Sequence, residues 1–353
     1  MQIDCLVIGQ GICGTFLCRY LQKAGLSFIV IDESTPFSAS KSAAGIINPV
    51  TGRRIVKTWM IDTLLPFIRK EYHDFGTELN IDCISQKNII DFFSSPQMRN
   101  AFISRWDENA QYLKKPRDET IWRNNFHYDF GFGEIDPCWL VDIPLILSSC
   151  RKKLLNSGIL IEERFNLEGL AFTSNAVEYK ELRADKIIFC GGREDFDQPF
   201  FRNLPFAPNK GEVLIAEIKD MPAENIFKKG INIVPWKENF FWIGSSYQWY
   251  FENDQPTERF REKTEMALQE WLHFPFKIVD HWASIRPATL ERRPFVGFHP
   301  IHPQVGILNG MGSKGCSLAP FFANQLVENL RHDTPIQPEA DLKRFTRVLG
   351  KNF

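Results

Sequence analysis

The sequence predicts an α/β (α+β) fold, in which a βα-type domain is joined to a discontinuous, mainly antiparallel β domain. Three observations predict it. A strand, a glycine turn, a helix and a second strand fill the first thirty-two residues. The stretch from Gly211 to Ser246 reads as β throughout, and the last part returns to strand, glycine-rich loop and helix. At 353 residues the chain exceeds one compact core, which also points to two lobes.

The first unit is the most informative. Cys5, Leu6, Val7 and Ile8 are apolar without alternation, so Ile3 to Ile8 reads as a strand covered on both faces. Gly9-Gln10-Gly11-Ile12-Cys13-Gly14 follows, then a helical pattern from Thr15 to Ala24 that Gly25 ends. A second apolar strand, Ser27 to Ile31, finishes at Asp32-Glu33. Gly9 permits the tight turn, Gly11 admits a pyrophosphate to the backbone, and Gly14 lets the helix pack on the sheet. The helix start offers unpaired N–H groups and partial positive charge to phosphates. Asp32 is placed to accept hydrogen bonds from ribose hydroxyls. Together these predict a Rossmann-like, dinucleotide-binding domain. Ser42-Ala43-Ala44-Gly45 is small enough for a ligand to lie close to the backbone.

Beyond it, the apolar spacing from Ile55 to Tyr72 predicts a helix over 54–75, bent at Pro66. Strands are predicted over 81–93 and 126–132, a helix over 137–156 with Pro137 in its first turn and Gly158 after it, and a strand over 159–161. A hairpin around Ser174-Asn175 and a buried strand, Lys186 to Cys190, come next and end at Gly191-Gly192. Strands 212–218, 232–235 and 240–244 precede a helix over 256–272 and a strand over 277–282. Strand 305–308, the loop from Asn309 to Gly315 and a helix over 317–330 close the pattern. This texture divides the chain into a nucleotide-binding domain (1–78, 137–195 and 286–353) and a substrate domain (79–136 and 196–285).

Composition excludes several classes. The formal net charge of −1 gives the chain no long-range attraction for polyanions, so no nucleic-acid partner is expected. The run Arg151-Lys152-Lys153 reads as a solvated helix face. Met1-Gln2-Ile3-Asp4 enters a strand directly, and no apolar run reaches the length of a membrane span, so a cytoplasmic protein is expected. Eight cysteines without a CxxC pair predict reduced structural thiols and no metal site. The 31 Phe and nine Trp residues predict an aromatic-rich core or a lined cavity.

Five separated segments resemble the D-amino-acid oxidase superfamily, on the branch of glycine oxidase, sarcosine oxidase and D-amino-acid dehydrogenase. They are Val7 to Gly14, Ser42 to Gly45, Ala184 to Gly192, Arg286-Pro287-Ala288-Thr289 with Pro294-Phe295-Val296-Gly297, and Asn309 to Gly315 running into Leu318-Ala319-Pro320. The resemblance implies noncovalent FAD along the first domain. Gly9, Gly11, Ile12, Cys13, Gly14, Asp32 and Glu33 would hold its dinucleotide part. Ser42 to Gly45 would lie near the flavin, Leu167 at the adenine, and Cys190 and Gly191 near the pyrophosphate or ribityl chain. Gly310, Gly312, Ser313, Lys314 and Gly315 would meet the pyrimidine end of the flavin.

The same resemblance makes Arg286 the partner of a substrate carboxylate, and guanidinium geometry suits a bidentate grip. Lys314 falls where sarcosine oxidases place a carboxylate-binding lysine, and Tyr247 is a candidate for the cavity wall. Arg53 and Arg54, just beyond the second segment, read as a basic helix start over the surface, with anion contacts as the alternative. Departures are equally specific: Ser284 replaces the cysteine that tethers flavin in sarcosine oxidase-like enzymes, Trp242 their oxygen-activating lysine, and Asn232 a tyrosine of glycine oxidases. The implied activity is oxidation of a small amine or amino acid bearing a carboxylate, by hydride transfer to flavin N5. Oxygen or a quinone-linked carrier would then accept the electrons. The resemblance leaves open the carboxymethylaminomethyl group of modified tRNA uridine, a 2-hydroxy acid or glycerol phosphate, and a flavin-binding protein without turnover.

Overall fold

A computed structural model describes residues 1–52 and 54–350. Strand β1 (Gln2–Ile8) lies at the centre of an eight-stranded sheet. It pairs in parallel with β2 (Phe28–Ile31) on one side and with Leu182–Phe189 on the other. Leu160–Ile161 extends the sheet beyond β2, and Val305–Asn309 pairs in parallel with the end of Leu182–Phe189. The predicted hairpin forms as Leu170–Phe172 and Val177–Tyr179, antiparallel to each other and continuing this sheet. Both faces are covered, so its strands can be apolar without alternation. One face packs on α1 (Ile12–Lys23) and on the helices Ile61–Leu79, Ile143–Asn156 and Gly315–His332. Phe200, Phe201, Leu204, Leu342 and Leu349 cover the other.

The second eight-stranded sheet runs in the order 276–286, 209–218, 240–244, 231–237, 226–229, 89–92, 132–135 and 113–114. It is antiparallel except where Ile226–Lys229 meets Ile89–Phe92. One of its faces holds the aromatic core expected from composition. The Phe92 ring lies 5.0 Å from Phe126, 4.9 Å from Tyr128 and 5.7 Å from Trp271, the last on the helix Glu258–Trp271. The opposite face, with Val213, Ile215, Val234 and Trp242, packs on Ala44, Val50 and Ile55 of the first fifty-five residues. The second sheet is thereby pressed against the Ser42 to Gly45 segment.

Several local expectations are corrected. Residues 54–60 are not helical: Val50–Thr51 and Val56–Lys57 form a two-stranded hairpin, and the helix is Ile61–Leu79. Ile55 and Met60 take left-handed φ values of 50° and 56°, which interrupt an α-helix, although their spacing imitates one. Residues 137–142 are likewise outside their helix. Trp139–Val141 is a strand between Ile46–Ile47 and Ile84–Gln86, and Asp142 caps the helix Ile143–Asn156 by accepting from Leu145 N at 3.0 Å. The proline in that first turn is Pro144, not Pro137. The strand expected over 81–93 divides into Ile84–Gln86 and Ile89–Phe92, in two different sheets, and the one over 126–132 lies instead at Phe132–Ile135. The helix Pro96–Glu108 and the strand Ile226–Lys229 lie where the sequence pattern predicts no element.

Helix α1 packs against the sheet because residue 14 lacks a side chain. A Cβ there would stand 1.9 Å from the Gly9 carbonyl oxygen, a backbone atom with nowhere to go. Gly14→Ala is expected to lower folding stability by about 3 kcal/mol, the upper part of the usual overpacking range. Urea unfolding with an unchanged m-value checks it, and an unshifted midpoint contradicts the close approach.

Candidate active site

The parallel strands of the first sheet end together. β1 leads to Gly9, β2 to Asp32, Leu182–Phe189 to Cys190-Gly191, and Val305–Asn309 to Gly310. Ligands in open α/β sheets bind beyond such ends. Here the ends open on a cavity of about 1990 Å³, whose far wall is the second sheet. Every residue singled out from sequence for the cofactor or substrate lines it, with the single exception of Gly14, which is packed beneath Gly9. Arg54 lines it too, while Arg53 lies outside the described residues.

At one end Gly11 starts α1 with no side-chain cap and no acidic residue in the first turn, although Ser40 Oγ accepts from Ile12 N at 3.0 Å. Asp32 is held on both carboxylate oxygens. Its Oδ2 accepts from Gln10 N at 2.8 Å, and its Oδ1 accepts from Ser34 N at 2.8 Å and Arg151 Nη1 at 2.7 Å. Arg151 also donates to Glu162 Oε1 at 2.8 Å and to the Asp32 carbonyl at 3.1 Å. Arg151 is therefore not part of a solvated face: it leaves its helix sideways and fixes the acid. Glu33 is exposed, with Arg164 4.0 Å away, and Leu167 is half-buried in a short 3₁₀ turn.

In the middle, sequence reading missed Asp195. Its Oδ2 accepts from Gly191 N at 2.9 Å and from Asn309 Nδ2 at 2.7 Å, tying two strand ends together. Asn309 Oδ1 in turn accepts from Gly310 N at 2.6 Å. Burial pushes the Asp195 carboxyl up to about 7, against the lowering effect of these bonds. Nothing in the local sequence Gly191-Gly192-Arg193-Glu194-Asp195 distinguishes this acid from its neighbour.

At the other end Arg286, the last residue of Phe276–Arg286, points its guanidinium into a neutral shell. Nη1 donates to Asn209 Oδ1 at 2.6 Å, and Nη2 to Ser245 Oγ at 2.7 Å and the Ser246 carbonyl at 3.2 Å. The Tyr247 ring lies 5.5 Å from it. Gly211 makes this possible, because a Cβ there would meet Arg286 Nη2 at 1.8 Å. Among the described residues no carboxylate pairs with Arg286, and burial holds its pKa below the usual arginine range. Lys314 is alike: Nζ donates to Asn48 Oδ1 at 2.7 Å, and burial pushes the ammonium down to about 8. The helix after it begins at Gly315, two residues earlier than predicted, so its first N–H groups face the same end.

The walls complete the enclosure. Trp242 is 5% exposed and donates from Nε1 to the Ser42 carbonyl at 3.0 Å. Ser284 and Asn232 both line the cavity, and Asn232 donates to the Gly244 carbonyl at 3.2 Å. The buried Ser42 Oγ has no protein partner. A long cleft with an uncapped helix start at one end, glycine loops along its floor and an unpaired hydroxyl in its wall fits a dinucleotide with a planar ring system. Arg151→Met is expected to weaken FAD binding about tenfold, since Asp32 loses a charge-assisted bond. Fluorescence titration of the apoprotein checks this, and an unchanged Kd contradicts the role.

A family profile described as FAD dependent oxidoreductase (DAO) matches residues 4–329. The chain is 26% identical to glycine oxidase of Pseudomonas aeruginosa, over 94% of this chain and 95% of that one. It is 21% identical to the tRNA 5-methylaminomethyl-2-thiouridine biosynthesis bifunctional protein of Marinobacter nauticus, covering 92% of this chain but 55% of that longer protein. The crystal structure of glycine oxidase from Geobacillus kaustophilus superposes with a TM-score of 0.79 at 18% identity, over 100% of this chain and 99% of that one. Among the described residues no helix is long and apolar enough to cross a membrane. With strand ends, glycine loops and helix start arranged for a dinucleotide, and with the profile spanning nearly all of it, the chain belongs to the DAO family of FAD-dependent oxidoreductases.

Proposed function

We propose that the protein oxidises a small amine or amino acid carrying a carboxylate, and that Arg286 holds that carboxylate. The carrying observation is the Arg286 guanidinium: it faces the cavity with Asn209, Ser245 and Ser246 as partners and no acid. A cation withdrawn from water without a counter-charge is costly. A substrate carboxylate supplies the missing partner, and the two N–H groups that the three neutral acceptors leave, one on Nε and one on Nη1, remain to bind it.

Bound noncovalently, FAD would supply a two-electron acceptor for the hydride leaving the carbon that bears the amine. The chain's own contribution is orientation, charge and exclusion of water. Gly9 to Cys13, with Asp32 and Glu33, would hold the dinucleotide part, Leu167 the adenine, and Cys190 and Gly191 the middle. Ser42 to Gly45 and the loop Gly310 to Gly315 would frame the ring, with Ser313 and the helix N–H groups beside its pyrimidine edge. Arg286 fixes the substrate's acid end, so that little rotational freedom remains to the C–H bond. Tyr247, 52% exposed and edge-on to Trp249 at 5.3 Å, forms the roof over that acid. Lys314 adds positive charge where the ring and substrate meet. Ser284 carries a hydroxyl rather than a thiol and offers no thioether tether, which supports noncovalent binding. The electrons would pass on to oxygen or a quinone-linked carrier. The first sheet with its helices, 1–78, 137–195 and 286–353, would serve the cofactor, and 79–136 with 196–285 the substrate.

Arg286→Ala is expected to lower kcat/KM for a carboxylate-bearing amine by about 2–4 kcal/mol, the cost of losing one partner of a desolvated charge pair. Arg286→Lys should restore little, because a point charge cannot reproduce the fork. Stopped-flow flavin reduction measures both, and wild-type rates in Arg286→Ala exclude the clamp. A second expectation concerns pH. The Lys314 ammonium carries its charge below about 8 and loses it as pH rises. Affinity for an anionic substrate should therefore be full near pH 7 and fall through pH 8, and Lys314→Arg should carry the plateau to higher pH. Substrate Kd measured across pH 6.5–9.5 (about three decades of proton activity) tests the sign; a Kd that tightens with rising pH contradicts it.

A further inference from the structure

The cavity's dinucleotide end carries charge of both signs, with Lys41, Arg164 and Arg193 standing among its acids. Asp32, Glu33, Glu163, Glu194, Asp195 and Asp197 stand on the loops of the dinucleotide end. Asp254, the remaining acid of the wall, is ion-paired to Arg193 at 2.7 Å. Towards the substrate end the wall carries Arg286 and Lys314, then Arg293, Arg292 and Arg54. Lys57 is also there but is ion-paired to Asp62. One substrate carboxylate on Arg286 leaves most of this positive charge unanswered.

The chain from Arg286 to Arg293 ties these cations to the clamp. Gly312 N donates to the Pro287 carbonyl at 2.9 Å, so the segment runs along the glycine loop that carries Lys314. Thr289 Oγ1 then donates to the Arg293 carbonyl at 2.8 Å and accepts from Arg293 N at 3.0 Å, which fixes the turn. The half-buried Arg293 guanidinium lies 4.3 Å above the Trp59 ring and donates to the Arg292 carbonyl at 3.1 Å. Stacking on an indole holds its plane while leaving N–H edges for an acid. The carboxylate that acts on it is the exposed Glu339 of the C-terminal segment. Arg54 and Arg292 are exposed and make no ion pair among the described residues, and they stand at the mouth.

We infer that the substrate carries a second acidic group besides the carboxylate at Arg286, and that Arg293, with Arg54 and Arg292 at the rim, receives it. The ligand class is an amine whose two arms, or whose side chain, end in acids: a dicarboxylic amino acid or an N-carboxymethyl amino acid. This rests on the amine-oxidising reading above. The phosphates of a nucleic acid offer the same charge, but the net charge of −1 and the small number of rim cations favour a small diacid.

The test is anaerobic reduction of the flavin in the holoenzyme by matched substrates: glycine and sarcosine against aspartate, glutamate and iminodiacetate. The diacids should reduce it with about tenfold higher second-order efficiency at low salt, as a single added charge-assisted contact gives. Arg293→Gln and, separately, Arg292→Gln should remove most of that advantage, while leaving monocarboxylate reduction and the flavin absorption spectrum unchanged. Added salt should erode it in the wild type. Equal efficiency for both classes, or an advantage that survives both variants, overturns this inference and leaves the amine reading standing. Reduction only when a carboxymethylamino group is presented on tRNA overturns the diacid in favour of a nucleic acid. A flavin that none of these amines reduces overturns both readings together.

Discussion

The parallel pairing of β1 with Leu182–Phe189 is the constraint on which the rest depends. It brings Ile8 opposite Phe189, and the pairing of Phe189 with Ile307 adds a third strand end to the same line. Three chain segments separated by more than a hundred residues therefore finish side by side, with a glycine within two residues of each end. Right-handed crossovers put helices on the faces and leave the strand ends free, so a ligand can lie across them. Asp195 locks two of these ends through Gly191 and Asn309, and its position in the protein interior raises its carboxyl above the usual carboxylate range.

The second sheet gives this open end a wall and a chemical direction. Its first two strands pair over ten residue positions, and the register sets Asn209 directly opposite Arg286. The same register puts Gly211 against the guanidinium, where any side chain would collide. An arginine surrounded by amide, hydroxyl and carbonyl oxygen is oriented but not neutralised. Lys314 receives similar treatment from Asn48. A strand end and a separate loop have thus placed half-buried cations on one cavity with neutral support, at a cost in desolvation that an anionic ligand offsets on binding. Local burial is also what brings the Lys314 ammonium close to titrating near neutral pH.

What the sequence determined by itself is the part whose physics is local. Gly9, Gly11 and Gly14 between two apolar runs, and the glycine-rich turn before Leu318, announce strand ends and helix starts within a few residues. The turn conformations and periodicities responsible are written in neighbouring side chains. The same locality explains the failures: Ile55, Val56 and Met60 follow a helical spacing, yet left-handed backbone at Ile55 and Met60 turns them into a hairpin that no period reveals.

Only the tertiary structure decided which polar groups meet. Arg151 looked like part of a basic helix face until the fold carried it to Asp32, 119 positions away in the chain. The shell of Arg286 comes from residues 77 and 41 positions distant. Whether a charge is exposed, paired or left waiting for a ligand depends on the desolvation imposed by segments remote in sequence. One-dimensional patterns record which face of an element is apolar, and carry no record of what that face will be packed against.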